Sequence, residues 1–216
     1  MTSDATHGNG RGGQPRGPLD AGADCFAVLG VPRAWHLDSA LLAERHLNLT
    51  RELHPDRFAQ ASPRERRLSL ERTTAVNDAY RTLRDPLRRA EYILRQAGIG
   101  HRDEDLARGR ESGGADPEFL EEIMRIRERM LEAGLDGGRG RDTAEGRAIR
   151  AEAEARIREL DRRMDELFTA WEAGPKASGA RAALLGVDRC LARRRYYANI
   201  VSEIEGDEIP AGHGSL

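Results

Sequence analysis

The residues most able to do chemistry stand together at His54-Pro55-Asp56, and their types suit recognition better than bond-breaking. Proline fixes its own backbone dihedral, so the imidazole and carboxylate beside it are displayed at low entropic cost. The Asp56 carboxylate can accept a bidentate hydrogen bond from an arginine on another molecule. Arg45 and Arg51 precede the tripeptide and Arg57 follows it. In isolation the same tripeptide is what a helix C-terminus with a turn looks like, and the arginines read as a solvated helix face.

A second candidate lies further along. Phe119, Ile123, Ile126 and Met130 recur at helical spacing and form one apolar seam. Leu120, Met124 and Leu131 form another stripe about 100° around the same helix. One seam is enough to pack a helix into a bundle, so the second is surplus. Surplus apolar groups beside charges mark a binding surface, with a wider core as the alternative.

Other chemistries are poorly supplied. Lys176 is the only lysine and belongs to no phosphate-binding loop. No nucleophile and base can be assembled into one pocket, so an enzyme is not expected. Cys25 and Cys190 are the only cysteines. They cannot supply the four thiolates of an iron–sulfur cluster, and His36, His46 and His101 have no cysteine at ligand spacing, so no metal or other cofactor is expected. The 35 basic residues are balanced by 37 acidic ones, which leaves no global field for nucleic acid or an anionic membrane. No apolar run approaches the roughly 20 residues of a membrane span, and no signal-peptide core is visible, so a cytoplasmic protein is expected.

The elements that position these residues are helices. Hydrophobic residues make up 38% of the 216-residue chain, aromatics 5% and charged residues 33%, a composition for thin amphipathic layers. A short turn from Asp24 closes at Gly30 and Pro32. Asp38 caps a helix to about Leu53 with Leu42, His46, Leu49 and Leu53 on one face, and Pro55 stops it. Ser62-Pro63-Arg64-Glu65 is a capping box that opens a helix with Leu68, Val76, Ala79 and Leu83 inside. Asp85-Pro86 ends it and starts a short helix through Arg95. After a polar stretch, Asp116-Pro117 caps the helix that carries the two stripes, which reaches about Ala133. Residues 144 to 172 form a long helix with a seam of Ala153, Ile157, Leu160, Met164, Leu167 and Trp171. A third helix from about Ala180 to Glu205 returns with Leu184, Val187, Leu191, Tyr197 and Ile204 inward. The expected organisation is all-α: a disordered tail at 1–22, a helical-hairpin domain at 23–97, a linker at 98–115, a three-helix bundle at 116–206 and a flexible tail at 207–216.

His54-Pro55-Asp56-Arg57-Phe58, followed by Val76-Asn77-Asp78-Ala79-Tyr80-Arg81-Thr82-Leu83 and Asp85-Pro86, resembles a J-domain, the module through which DnaJ-type proteins stimulate DnaK-type chaperone ATPases. Phe26-Ala27-Val28-Leu29-Gly30 and Asp85-Pro86-Leu87-Arg88-Arg89-Ala90-Glu91-Tyr92-Ile93-Leu94 narrow the resemblance to the HscB family, co-chaperones of iron–sulfur cluster biogenesis. It extends from about Asp24 to Glu205 and is strongest up to Gly98. The resemblance implies an L-shaped two-domain protein, with 23–97 as the J-domain. It further implies that His54, Pro55 and Asp56 contact an HscA/DnaK-type chaperone, with Arg45, Arg51 and Arg57 meeting its acidic surface.

The same resemblance implies that an IscU-like cluster scaffold protein binds at Leu120, Glu121, Met124, Arg125, Glu128 and Tyr196. Two positions depart from the family: Glu121 replaces a residue that is often hydrophobic, and Arg125 replaces one that is often acidic. Tyr196 can equally be read as ordinary packing. Some mitochondrial members carry a cysteine-rich metal site near the N-terminus, and residues 1–23 hold no cysteine. A mitochondrial matrix location is the less favoured expectation. The competing functions are a general J-domain co-chaperone for another client and a helical scaffold without an ATPase-stimulating role.

Overall fold

The computed structural model describes residues 24–99, 117–135, 142–174 and 177–206. These hold seven α-helices, one 3₁₀ turn and no strand. The helices are α1 (Cys25–Leu29), α2 (Ser39–Glu52), α3 (Pro63–Arg84), α4 (Pro86–Gln96), α5 (Pro117–Glu132), α6 (Ala144–Glu172) and α7 (Ala177–Glu205), with the 3₁₀ turn at Pro55–Phe58. The expected tails at 1–22 and 207–216, most of the 98–115 linker, Asp116 and His101 lie outside the described residues. Two compact units emerge. The first gathers the described residues up to Arg33 with Leu37–Leu83, and the second gathers Ala34–His36 with the described residues from Arg84 onward. The short helix α4 therefore counts with the second unit, whereas the sequence grouped it with the hairpin.

In the first unit, polar side chains set the helix ends. Asp24 caps α1 by accepting from the Phe26 N–H at 3.3 Å, and Gly30 closes it at φ +64, a left-handed conformation that strains any residue with a β-carbon. Asp38 caps α2 by accepting from the Ala40 and Leu41 N–H groups at 2.8 and 3.2 Å. The capping box ahead of α3 forms as expected: Glu65 accepts from the Ser62 N–H at 2.8 Å, and Ser62 Oγ accepts from the Glu65 N–H at 3.3 Å. Contacts pair His46 with Asn77 and Leu53 with Ser69, so α2 and α3 run antiparallel. Val76, Ala79 and Leu83 are buried. Leu68 is only half-buried, and Ser69 takes the inner place instead.

In the second unit, α5, α6 and α7 form a three-helix bundle. Ion pairs Arg129–Glu145 and Arg156–Glu122 join α5 to α6 in antiparallel order, and Arg194–Asp161 and Arg150–Glu205 do the same for α6 and α7. The core contains Ile123, Ile126, Met130, Ile149, Tyr197 and Ile200. Of the expected α6 seam, Ala153 and Met164 are buried while Ile157, Leu160, Leu167 and Trp171 are half-buried. Phe168, one residue off that seam, is 0% exposed. Its ring stacks on Trp35 with centroids 4.2 Å apart. Trp35 Nε1 donates to Asp165 at 2.9 Å, and His36 pairs with Asp165 and Glu172 at 3.0 and 2.6 Å. Asp85 caps α4 through the Leu87 and Arg88 N–H groups, and Glu91 on α4 pairs with Arg195 on α7 at 2.7 Å.

Candidate functional site

The His-Pro-Asp corner is built from the end of α2 outward. Leu53, the last residue before the tripeptide, is buried, and its carbonyl accepts from Ser69 Oγ at 2.7 Å, while Thr73 Oγ1 lies 3.3 Å from it and shares its one proton with the nearer Ser69 carbonyl at 2.9 Å. Both hydroxyls come from α3, so the chain is fastened at the point where α2 stops. His46 adds a second tie, with Nε2 2.9 Å from Asn77 Oδ1 and its ring stacked on Tyr80 at 4.1 Å.

From Leu53 the chain turns outward. Pro55 starts the 3₁₀ turn, its fixed φ suiting the first helical position. His54 Nδ1 accepts from the Asp56 N–H at 3.3 Å and lies 3.5 Å from Asp56 Oδ2. The imidazole and carboxylate are thus held beside each other. The Asp56 side chain is 92% exposed and that of His54 54%. A partner can reach both.

Arg45, Arg51 and Arg57 are all exposed. Arg45 and Arg51 are six residues apart, hence about 120° apart around α2, and do not form one stripe. Arg51 shares its face with Leu47, which is 48% exposed. Leu47 was not singled out in the sequence, although its position four residues before Arg51 is a usable signal.

On α5 the two stripes separate as expected. Ile123, Ile126 and Met130 are buried, while Leu120, Met124 and Leu131 are 45%, 71% and 82% exposed. Phe119 is half-buried and meets the edge of the Tyr196 ring at 5.8 Å. The Arg127 guanidinium lies 5.9 Å over that ring and pairs with Glu203. Arg127 stands seven residues after Leu120, on nearly the same face, so Tyr196 borders the exposed stripe with Arg127 between them. That arginine was not anticipated. Glu121, Arg125 and Glu128 are exposed on the other flank. Glu121 and Arg125 line a polar dent of about 360 Å³ together with Glu152 and Arg156 of α6. The expected client residues therefore divide into an apolar stripe, an aromatic border and a separate charged flank.

A family model described as the HSCB C-terminal oligomerisation domain matches residues 115–205. The co-chaperone protein HscB homolog of Vibrio atlanticus is 42% identical over 105 residues, covering 49% of this chain and 58% of that protein, so the matched stretch spans just over half of that curated relative. The corresponding Bordetella petrii protein is 36% identical over 146 residues, covering 68% of this chain and 76% of its own length. The crystal structure of human co-chaperone protein HscB superposes with a TM-score of 0.63 at 30% identity, over 87% of this chain and 83% of that one. An all-α chain with this exposed corner and this doubly striped helix, matched over such shares of its length, belongs to the HscB family of co-chaperones.

Proposed function

We propose that this chain stimulates the ATPase of an HscA/DnaK-type chaperone through His54, Pro55 and Asp56, and delivers an IscU-like iron–sulfur cluster scaffold protein to it, in the cytoplasm. Residues 23–97 act as the J-domain and 116–206 as the client-binding domain. The observation that carries the reading is the corner itself, with a carboxylate 92% exposed on a turn whose root carbonyl is bonded by the Ser69 hydroxyl of the neighbouring helix. A group held in place before contact loses little conformational entropy on binding. Arg51 and Arg57 flank the turn and supply positive charge for an acidic surface, with Arg45 on another face of α2. The client sits on Leu120 and Met124, with Tyr196 at the border and Glu121, Arg125 and Glu128 on the charged flank. So small a patch fits a transient interface, from which the client can be released.

Two measurements test the two halves. His54→Gln keeps the turn and removes the imidazole; it should abolish stimulation of the chaperone ATPase while the circular dichroism spectrum stays that of the parent. Unchanged stimulation defeats the first half. A pull-down of the apo scaffold protein should fail with the Leu120→Ala/Met124→Ala variant. Intact stimulation combined with no scaffold binding by the parent protein would favour a general co-chaperone for another client.

A further inference from the structure

The α6–α7 pair continues well past the end of α5. Glu122, near the start of α5, already faces Arg156, and α6 runs on from there to Glu172, a further length of about 24 Å at ~1.5 Å per residue. Along this part, on the side that α5 would have continued to cover, the two helices leave a groove of about 900 Å³. Leu160 and Leu167 of α6 and Ala183, Gly186 and Cys190 of α7 contribute to its floor. Ala182 and Gly186 give α7 little bulk here. The two helices are tight below them, since a β-carbon on Gly186 would meet Leu167 at 3.0 Å.

The walls are charged, and unevenly so. Arg156, Arg162, Arg163, Arg189 and Arg193 line the groove against Glu122, Glu159 and Glu166. All three glutamates are engaged by groove arginines: Arg156 holds Glu122 at 2.8 Å and Glu159 at 3.2 Å, and Arg163 holds Glu166 at 2.8 Å. The balance is positive on a chain whose net charge is −2. An apolar floor of helical length between basic walls complements a helix with one apolar stripe and acidic flanks.

We infer that this groove docks an acidic amphipathic helix of a partner protein, about three turns long, in line with α5 and apart from the Leu120/Met124 stripe. The inference does not depend on what the stripe binds. The probe is a fluorescein-labelled helical peptide of fourteen residues with leucines at helical spacing and glutamates on both flanks, titrated into the full chain by anisotropy, beside a counterpart with lysine in place of glutamate.

The glutamate peptide should bind and the lysine peptide should bind at least about tenfold more weakly. Arg162→Glu/Arg189→Glu and the groove-filling Ala182→Trp should each weaken the glutamate peptide about tenfold or more, while Leu120→Ala/Met124→Ala leaves it unchanged. The result that overturns the inference is equal binding of the two peptides, no binding, or loss of binding in the Leu120/Met124 variant instead. Sedimentation velocity covers the remaining occupant: a dimer of the parent chain that Ala182→Trp dissolves would assign the groove to a second copy and overturn it as well.

Discussion

The corner at His54 and the outer face of α5 both present groups to solvent, yet they are made in opposite ways. At the corner, the root of the displayed groups is tied down: Leu53 is buried and its carbonyl is bonded by the Ser69 hydroxyl. On α5, the displayed groups are apolar side chains for which the bundle has no room, because Ile123, Ile126 and Met130 already fill the inner face. One surface depends on geometry and the other on surplus hydrophobic area. The first should be sensitive to residues that never touch a partner, and the second should tolerate changes beneath it only so long as the helix stays packed.

The largest expected effect sharpens the contrast within one helix. Ile126 is 1% exposed and Met124, two residues earlier, 71%. Ile126→Ala should cost about 2–5 kcal/mol in denaturant unfolding of the second unit, whereas Met124→Ala should change stability by no more than about 0.5 kcal/mol and act only on client binding. Comparable losses in the two would show that the outer stripe is core.

Ser69→Ala comes next. It leaves the buried Leu53 carbonyl with only the more distant Thr73 hydroxyl, whose one proton is shared with the Ser69 carbonyl, and should cost about 1–3 kcal/mol. It should also lower ATPase stimulation although His54, Pro55 and Asp56 are intact. Full stimulation in a measurably destabilised variant would break the claim that the corner works by being held. Removing a cap is milder: Asp85→Ala should cost about 1 kcal/mol through the freed Leu87 and Arg88 N–H groups, read as a shift in the melting temperature.

The smallest effect concerns pH. The hydrogen bond to Glu172, helped by Asp165, raises the His36 pKa above its ordinary 6.5. The stability this gives is fully present below pH 6.5 and is lost as pH rises through the raised value. The Asp165 carboxyl is lowered from 3.8, chiefly by the Trp35 hydrogen bond. Burial alone would raise Glu172 from 4.5, but hydrogen bonds from His36 and Trp35 outweigh it and the net shift is downward. The carboxylates therefore contribute above those ordinary values and lose their contribution as pH falls through the lowered ones. The melting temperature of the parent should exceed that of His36→Ala most between about pH 4.5 and 6.5. A gap that widens at alkaline pH would contradict the pairing.

Much of this was legible in the sequence because it is local and periodic. The α5 stripes, the cap at Asp38, the helix start at Asp85-Pro86 and the box at Ser62 each follow from spacing within one or two turns. The long-range ties were not. Trp35 lies in an irregular stretch, and its partners Asp165 and Phe168 are on α6, far along the chain; no periodic pattern reaches across that separation. Ser69 breaks the apolar face of α3, so the pattern favoured Leu68, while the cost of leaving the Leu53 carbonyl unbonded places the hydroxyl inside. Phe168 stands next to the seam residue Leu167, and the stacked Trp35 ring gives it a surface that the bundle pattern does not anticipate.

Asp56→Asn tests the central claim most directly, because the amide has the size of the carboxylate, lacks its charge, and sits on a side chain already 92% exposed. Single-turnover ATPase assays of an HscA/DnaK-type chaperone with this variant should show stimulation reduced at least about tenfold, equivalent to roughly 1.4 kcal/mol, with an unchanged melting temperature and unchanged scaffold binding. Stimulation equal to that of the parent chain would contradict the account.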